Sequence, residues 1–425
     1  MKNKYVAGVI TGALCAILIC SVVFSVLYRN SRMEQLGLTP DSSLDSTQEN
    51  DSKQDGTQSG EQVKTDQDDL LKKMATMKSI VSKYFLYDVT EQQYEDAALK
   101  GLMEALDDPY STYYTAEEYA DLMEQTEGVY YGIGAYVSQN PDSKILTITK
   151  PFKDGPADKA GILPGDIIYK VEGEIITDQD IQTVVAKMKG EKGTQVKISV
   201  LRGESMEEIE FKVTRDEIEV PTVEYKMLDD KIGYIYVLQF DKVTVDQFIS
   251  AIDDLDAQGM KGLVIDIRDN GGGLYVSCLS MLERLIKKDK LLVYTETKSG
   301  EREPEYSEKD DSINVPLAVI INGNSASASE IFAGAIQDYH IGTIVGTQSF
   351  GKGIVQSVIP LLDGSAIKLT ISNYFTPSGD SIHKVGITPD VVVELDDALT
   401  GKSVITMEED NQLQAAIKEV KKQIK

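Results

Sequence analysis

The sequence predicts an α/β (α+β) multidomain protein: a helical region, then a small β-rich domain, then a larger α/β core. Three observations carry that prediction. From Leu70 to about Tyr119 apolar residues recur at helical spacing (Leu70, Met74, Met77, Val81; then Ala98, Leu102, Ala105). From Glu127 to Arg215, short β-type runs such as "KILTIT", "DIIYKVEG" and "VKISVLR" alternate with Gly/Pro turns, with one helix near 178–188. Beyond Pro221, continuous apolar strands alternate with helices, the pattern of a sheet buried between layers.

The first 29 residues stand apart. Lys2 and Lys4 precede an uncharged run from Tyr5 to Tyr28, closed by Arg29 and Arg32. A membrane-crossing helix needs about 20 apolar residues, whereas a cleavable signal has an apolar region of roughly 7–15. The length favours a membrane anchor over a cleaved signal, although Val23-Phe24-Ser25 is a passable cleavage site. The expected location is the cell membrane, single-pass, with the large acidic part outside the cytoplasm. Residues 30–69 are polar, acidic and nearly free of aromatics, and read as a disordered linker. The remaining boundaries fall at 70–119 for the helical region, 120–215 for the β-rich domain, 216–400 for the core and 401–425 for a helical tail, "DNQLQAAIKEVKKQIK".

Composition narrows the function. The formal net charge of −26 argues against nucleic acid as a partner. Of three cysteines, Cys15 and Cys20 lie in the apolar run, so Cys278 has no partner for a disulfide and reads as a small buried residue. With no HExxH, no phosphate loop and no acidic calcium loop, no metal or cofactor is expected.

Chemistry concentrates in "PLAVIINGNSASASEIFAGA", a strand, a tight turn of small residues and a helix. That geometry lifts a side chain to a helix N-terminus, where free N–H groups and the helix dipole stabilise an anion. Ser325, Ser327 or Ser329 is a candidate nucleophile there, and helix capping is the competing explanation. In "TQSFGKGIVQ", 25 residues past Ser327, Lys352 sits between two glycines, a frame that permits close backbone approach. A lysine serves as a base only if burial lowers its pKa by about 3 units. His340 and His383 are the alternative bases, and neither has a supporting frame. "DIRDNGGGLY" adds a strand end and three glycines, a nest of backbone N–H groups suited to an oxyanion. Its candidates are the Gly272 or Gly273 amide together with that of Ala328.

"NGNSASASEIFAGAIQDY" followed by "GTQSFGKGIVQ" resembles the carboxyl-terminal processing (tail-specific) serine proteases. So do "GLMEALDDPYSTYYTAEEY", "AGILPGDIIYKVEGE" and "GITPD", in the family's order from about Leu70 to Val393. The resemblance implies a ClpP/crotonase-like protease core, with Ser327 as nucleophile, Lys352 as general base and Gln356 as the residue that orients the lysine. On a regular strand Lys352 and Gln356 would lie about 13 Å apart, so the chain must bend between them. Glu330 and Asp338 are candidate supporting residues. Where the family generally carries Asn-Pro-Gly-Gly, this chain has Asn270-Gly271-Gly272-Gly273.

"GVYYGIGAYV" and "DGPADKAGILPGDIIYKVEG" together resemble a PDZ domain, which captures a peptide's terminal carboxylate on backbone amides and pairs the peptide with a sheet edge. The resemblance implies Tyr131, Gly132, Ile133 and Gly134 as the carboxylate loop, with Ile133 and Ile181 lining the pocket. Lys189 stands where relatives often carry an arginine. The expected activity is a Ser–Lys endopeptidase that cleaves proteins near exposed C-termini, and the family resemblance implies homodimers built through the N-terminal helices. The rivals are a catalytically inactive PDZ scaffold that binds tails, and a crotonase-type acyl-CoA enzyme.

Overall fold

The computed structural model describes residues 59–402 and 405–424, with side chains from residue 68. The anchor or signal helix at 1–29 and the linker up to residue 58 lie outside the described residues. The chain divides into two units, residues 1–88 and 89–425.

In the first unit a single helix, α1 (Ser59–Tyr84), begins inside the segment read as linker. The linker boundary at 69 is therefore too late. Residues 61–69 contain neither glycine nor proline and are rich in Glu, Gln, Lys and Asp, so nothing there breaks the helical phase set by Leu70. Leu70, Met74, Met77 and Tyr84 leave an apolar stripe exposed along it.

The second unit opens with α2 (Glu91–Glu104), started by a Thr90/Gln93 capping box. The "DDPYS" turn leads into β1 (Thr112–Tyr114) and then α3 (Ala116–Glu127), capped by Thr115 and Glu118 and ended by Gly128 at φ 71°.

The β-rich domain follows. Its main sheet has the order β3 (Ala135–Gln139), β4 (Leu146–Pro151), β5 (Ile167–Val171), β7 (Gln195–Arg202), β8 (Glu207–Thr214), with β6 (Glu174–Ile175) on β5. A separate antiparallel pair, β2 (Val129–Gly132) and β9 (Asp216–Glu219), closes the domain. The helices α4 (Pro156–Ala160) and α5 (Ile181–Met188) cover it, and Ile148, Ile168, Val184, Val196 and Ile198 form its core.

The α/β core is a six-stranded sheet ordered β10 (Val223–Met227), β11 (Ile232–Val237), β12 (Gly262–Asp266), β15 (Leu317–Ile321), β16 (Thr343–Gly346), β19 (Val391–Val392). All pairs except β10–β11 are parallel. Every residue of β12 and β15 is buried, which is why those strands read as unbroken apolar runs. Phe248 and Ile252 of α6 (Lys242–Ala257), Cys278 of α7 (Tyr275–Leu282) and Phe332 of α8 (Ala328–Asp338) fill one face. The helix α9 (Asn411–Gln423) buries Leu413, Ala416 and Val420 on the other. The segment read as a tail is thus part of the core. Arg268 locks it there through Asp410 (2.7 Å) while also pairing with Asp266 (2.6 Å).

A second sheet was not apparent from the strand–helix alternation. The strand β18 (Ala366–Phe375) pairs with β13 (Leu291–Thr297), with β17 (Ile354–Pro360) and with β1, while β14 (Arg302–Tyr306) flanks β13. The β1 register, Thr112 opposite Lys368, brings the "DDPYS" turn to the core.

One buried acid has a consequence for stability. Asp241, 5% exposed before α6, accepts from Gln239 (3.0 Å), and burial pushes its carboxyl up to about 6. A raised acid stabilises the fold fully below its ordinary pKa, near 4, and that contribution is lost as pH rises through the folded value. Asp241→Asn is expected to flatten the fall in stability between about pH 4 and 6, an effect of up to about 3 kcal/mol. Thermal unfolding of both chains across that range checks it.

Candidate active site

The three serines are separated by their backbone and partners. The Ser325 hydroxyl donates to the Ile267 carbonyl (2.8 Å) and the Ser329 hydroxyl to the Asn270 carbonyl (2.8 Å); both residues are fully buried. They rivet the serine turn to the glycine loop. Ser327 alone keeps a partly exposed side chain, and its backbone takes φ 57°, ψ −114°. A non-glycine residue held at such angles is strained, and persists only where its surroundings over-determine it.

Glu330 supplies much of that constraint. Fully buried on the first turn of α8, its carboxylate accepts from the N–H of Ser327 (2.8 Å), the Ser349 hydroxyl (2.6 Å) and the N–H groups of Gly351 (2.6 Å) and Lys352 (2.8 Å). One side chain therefore fixes both the serine turn and the lysine loop. The Tyr374 hydroxyl, on a fully buried ring of β18, lies within hydrogen-bond distance of the Ser327 (3.0 Å) and Lys352 (2.5 Å) carbonyls. The sequence singled out Glu330 only as a supporting candidate and missed Tyr374, which no local motif marks. Asp338, at the far end of α8, accepts from the Ser378 N–H (2.7 Å) instead.

Lys352 is half-buried. Burial, and then the like charge of Lys368, pull its pKa below the ordinary lysine value, against the opposing pull of Asp108 and Glu330. Its Nζ lies 4.5 Å from the centroid of the Tyr110 ring, and among the described hydrogen bonds none joins it to Ser327 Oγ. Gln356 is not joined to Lys352 either. A register shift between Val355 and Gln356 in the β17–β18 pair turns the amide toward Thr370 Oγ1 (3.5 Å) and the Ile354 carbonyl (3.4 Å), both long contacts.

The glycine loop separates its two candidates. The Gly272 N–H donates to Asn270 Oδ1 (2.9 Å) and is spoken for, while its Cα packs so tightly on Ser327 and Ala328 that a Cβ would sit 2.9 Å from Ser327 Cβ. The Gly273 N–H has no acceptor among the described residues, and neither has that of Ala328, the first residue of α8. The geometry thus favours Gly273 over Gly272 as an anion donor beside Ala328. Cys278 lies beneath, fully buried, its thiol against the Ala328 carbonyl (3.2 Å) and pushed up by burial.

Neither histidine forms a triad. His340 lies beyond the C-terminus of α8, and the 11-residue helix that separates it from Ser327 is about 16 Å long at 1.5 Å per residue. His383 packs beside Gly353, but its Nδ1 is buried with no hydrogen-bond partner among the described residues, so no carboxylate orients the ring.

In the β-rich domain, Tyr131 and Gly132 end β2, Gly134 takes φ 70°, and Ile133 is 4% exposed with its side chain in the core. Ile181 opens α5, half-buried against the same core. Burial pushes the Tyr130 phenol up to about 12, against the pull of the Ala135 and Gly134 amides toward its ionised form. Lys189 lies 5.4 Å from the centroid of the Tyr130 ring and pairs with Glu124 of α3, tying this domain to the helical region.

Residues 231–393 match the Peptidase family S41, residues 147–202 a PDZ domain, and residues 39–118 the N-terminal domain of the activating protease CtpB. The chain is 39% identical over 302 residues to the carboxy-terminal processing protease CtpA of Bacillus subtilis, a match covering 71% of this chain and 64% of that protein. It is 37% identical over 313 residues to the carboxy-terminal-processing protease of Bartonella bacilliformis, covering 72% and 70%. It is 34% identical over 342 residues to the carboxy-terminal processing protease CtpB of Bacillus subtilis, covering 79% and 70%. These matches span about two thirds of the relatives' own length. A solved photosystem II D1 C-terminal processing protease is 30% identical, covering 74% of this chain and 86% of that one with a TM-score of 0.44.

Core and small domain together define a serine peptidase of the S41 kind that carries a PDZ domain. The chain belongs to the carboxy-terminal processing protease family.

Proposed function

We propose that this chain is a Ser–Lys endopeptidase that cleaves proteins near their C-termini after its PDZ domain has captured the tail. The observation that carries the reading is the buried Glu330 carboxylate, which accepts from the backbone of both Ser327 and Lys352 and so holds the two loops as one device. A scaffold that only bound tails would need neither that clamp nor the strained Ser327.

In the proposed reaction, neutral Lys352 Nζ takes the Ser327 hydroxyl proton as Oγ attacks the scissile carbonyl. The Gly273 and Ala328 amides receive the oxyanion. Collapse breaks the C–N bond, and the Lys352 ammonium returns its proton to the leaving amine. Water then hydrolyses the acyl-enzyme, with Lys352 again as base. Capture of a terminal carboxylate is supported by the match of residues 147–202 to a PDZ domain. The uncharged run from Tyr5 to Tyr28 supports tethering at the cell membrane with the catalytic part outside the cytoplasm. The exposed apolar stripe of α1 supports a homodimer.

The full-length chain is incubated with an unstructured protein ending in an apolar tail, and products are read by mass spectrometry. Cleavage near the tail is expected, lost in Ser327→Ala and slowed about tenfold or more when the substrate's C-terminus is amidated, about the worth of one charge-assisted hydrogen bond. Binding without cleavage by the unaltered chain would make it the scaffold. Cleavage indifferent to amidation would remove tail capture.

A further inference from the structure

Resting on the Ser–Lys reading above, we propose that Tyr110 is a positioning residue for the base: its ring holds the Lys352 ammonium in a defined resting place. The "DDPYS" turn is built to present that ring. Asp108 accepts from the Tyr110 N–H (3.1 Å) and the Ser111 hydroxyl (2.6 Å), and Ser111 Oγ in turn accepts from the Thr370 N–H of β18 (3.0 Å). Ser111 is 8% exposed. From Thr112 the chain becomes β1 and pairs with β18, so the turn is pinned at its C-terminal end to the strand that also carries Tyr374 and Lys368. On that mount the Tyr110 ring stands 4.5 Å from Lys352 Nζ.

The chemistry follows from charge. A ring face attracts an ammonium and does little for a neutral amine, so Tyr110 favours the protonated, resting form of Lys352. Asp108 and Glu330 act in the same direction; burial and Lys368 act against it. Lys368 is itself held by the Tyr114 hydroxyl (2.8 Å), and the Glu330 oxygens are occupied by four donors. Tyr110 is thus the uncharged partner that touches the ammonium, and it sets both where the base waits and how readily it gives up its proton.

The test is the pH profile of kcat/KM for the full-length chain on an acylation-limited substrate. Tyr110→Leu keeps apolar bulk and removes the ring; the ascending limb, where Lys352 loses its proton, is expected to move down by about half a unit to one unit, the size of one cation–π contact. Tyr110→Phe keeps the ring face and is expected to retain the original limb. Tyr110→Met, which also keeps apolar bulk without a ring, is expected to shift the limb downward likewise, and decides the matter if Tyr110→Leu fails to fold. A folded Tyr110→Leu chain with an unshifted limb, alongside an inactive Lys352→Ala chain, overturns this proposal and leaves the Ser–Lys reading standing. A Lys352→Ala chain that keeps both activity and limb overturns the two together.

Discussion

Lys352→Ala is expected to lower kcat/KM by about a thousandfold or more, while the melting temperature changes little. General-base catalysis contributes roughly 10²–10⁴-fold, and loss of the sole base also removes the proton donor to the leaving amine. The fold should tolerate the change, since the Lys352 side chain makes no ion pair among the described residues and its loop is held through the backbone by Glu330 and Tyr374. The residual rate should come from the amides of Gly273 and Ala328 alone. The double change His340→Ala, His383→Ala is expected to keep activity within a few-fold, because one residue lies at the wrong end of α8 and the other has no orienting carboxylate. Steady-state kinetics beside thermal unfolding separates these outcomes. In the unaltered chain, activity should rise with pH through a group below the ordinary lysine range, the direction burial imposes.

Glu330→Ala is expected to be the most damaging single change to the site. It strands four donors at once, two on the buried Ser349 and Gly351 and two on the half-buried Ser327 and Lys352, and each unsatisfied buried donor costs about 1–3 kcal/mol. A loss of at least about 2 kcal/mol follows on that scale, together with near-complete loss of cleavage because both loops are released. Glu330→Gln keeps the volume and one acceptor oxygen but turns its NH2 toward a backbone N–H, which can only donate, so it should rescue little. Ser349→Ala removes one donor to Glu330 and strands the Ile387 N–H, and should cost about 1–3 kcal/mol with a modest fall in rate. Urea unfolding and kcat/KM of the three variants would show whether stability and activity fall together, as a shared clamp requires.

Sequence reasoning found what local pattern encodes. The unbroken apolar runs at 262–266 and 317–321 became buried parallel strands, and the small-residue turn after the second became the start of α8. The alternating runs of 127–215 became the small domain. What escaped it depends on partners distant in the chain. Nothing near Thr112 announces pairing with a strand more than 250 residues away, although that pairing brings Tyr110 to Lys352. The three serines look alike until the Ile267 and Asn270 carbonyls occupy two of them. Gly272 and Gly273 are interchangeable until the Asn270 side chain takes one amide. Gln356 followed from a family position, but a local register shift points its amide toward Thr370. The early start of α1 was hidden by polar composition, which marks solvation rather than coil.

The central claim is that Ser327 is made nucleophilic by Lys352. Covalent labelling by a serine-reactive fluorophosphonate, with the modified residue located by peptide mass mapping, tests it most directly. Adduct on Ser327, forming faster as pH rises and at least a hundredfold slower in Lys352→Ala, is the expected result. Adduct on Ser325 or Ser329, or labelling of Ser327 at an unchanged rate without the lysine, would contradict it.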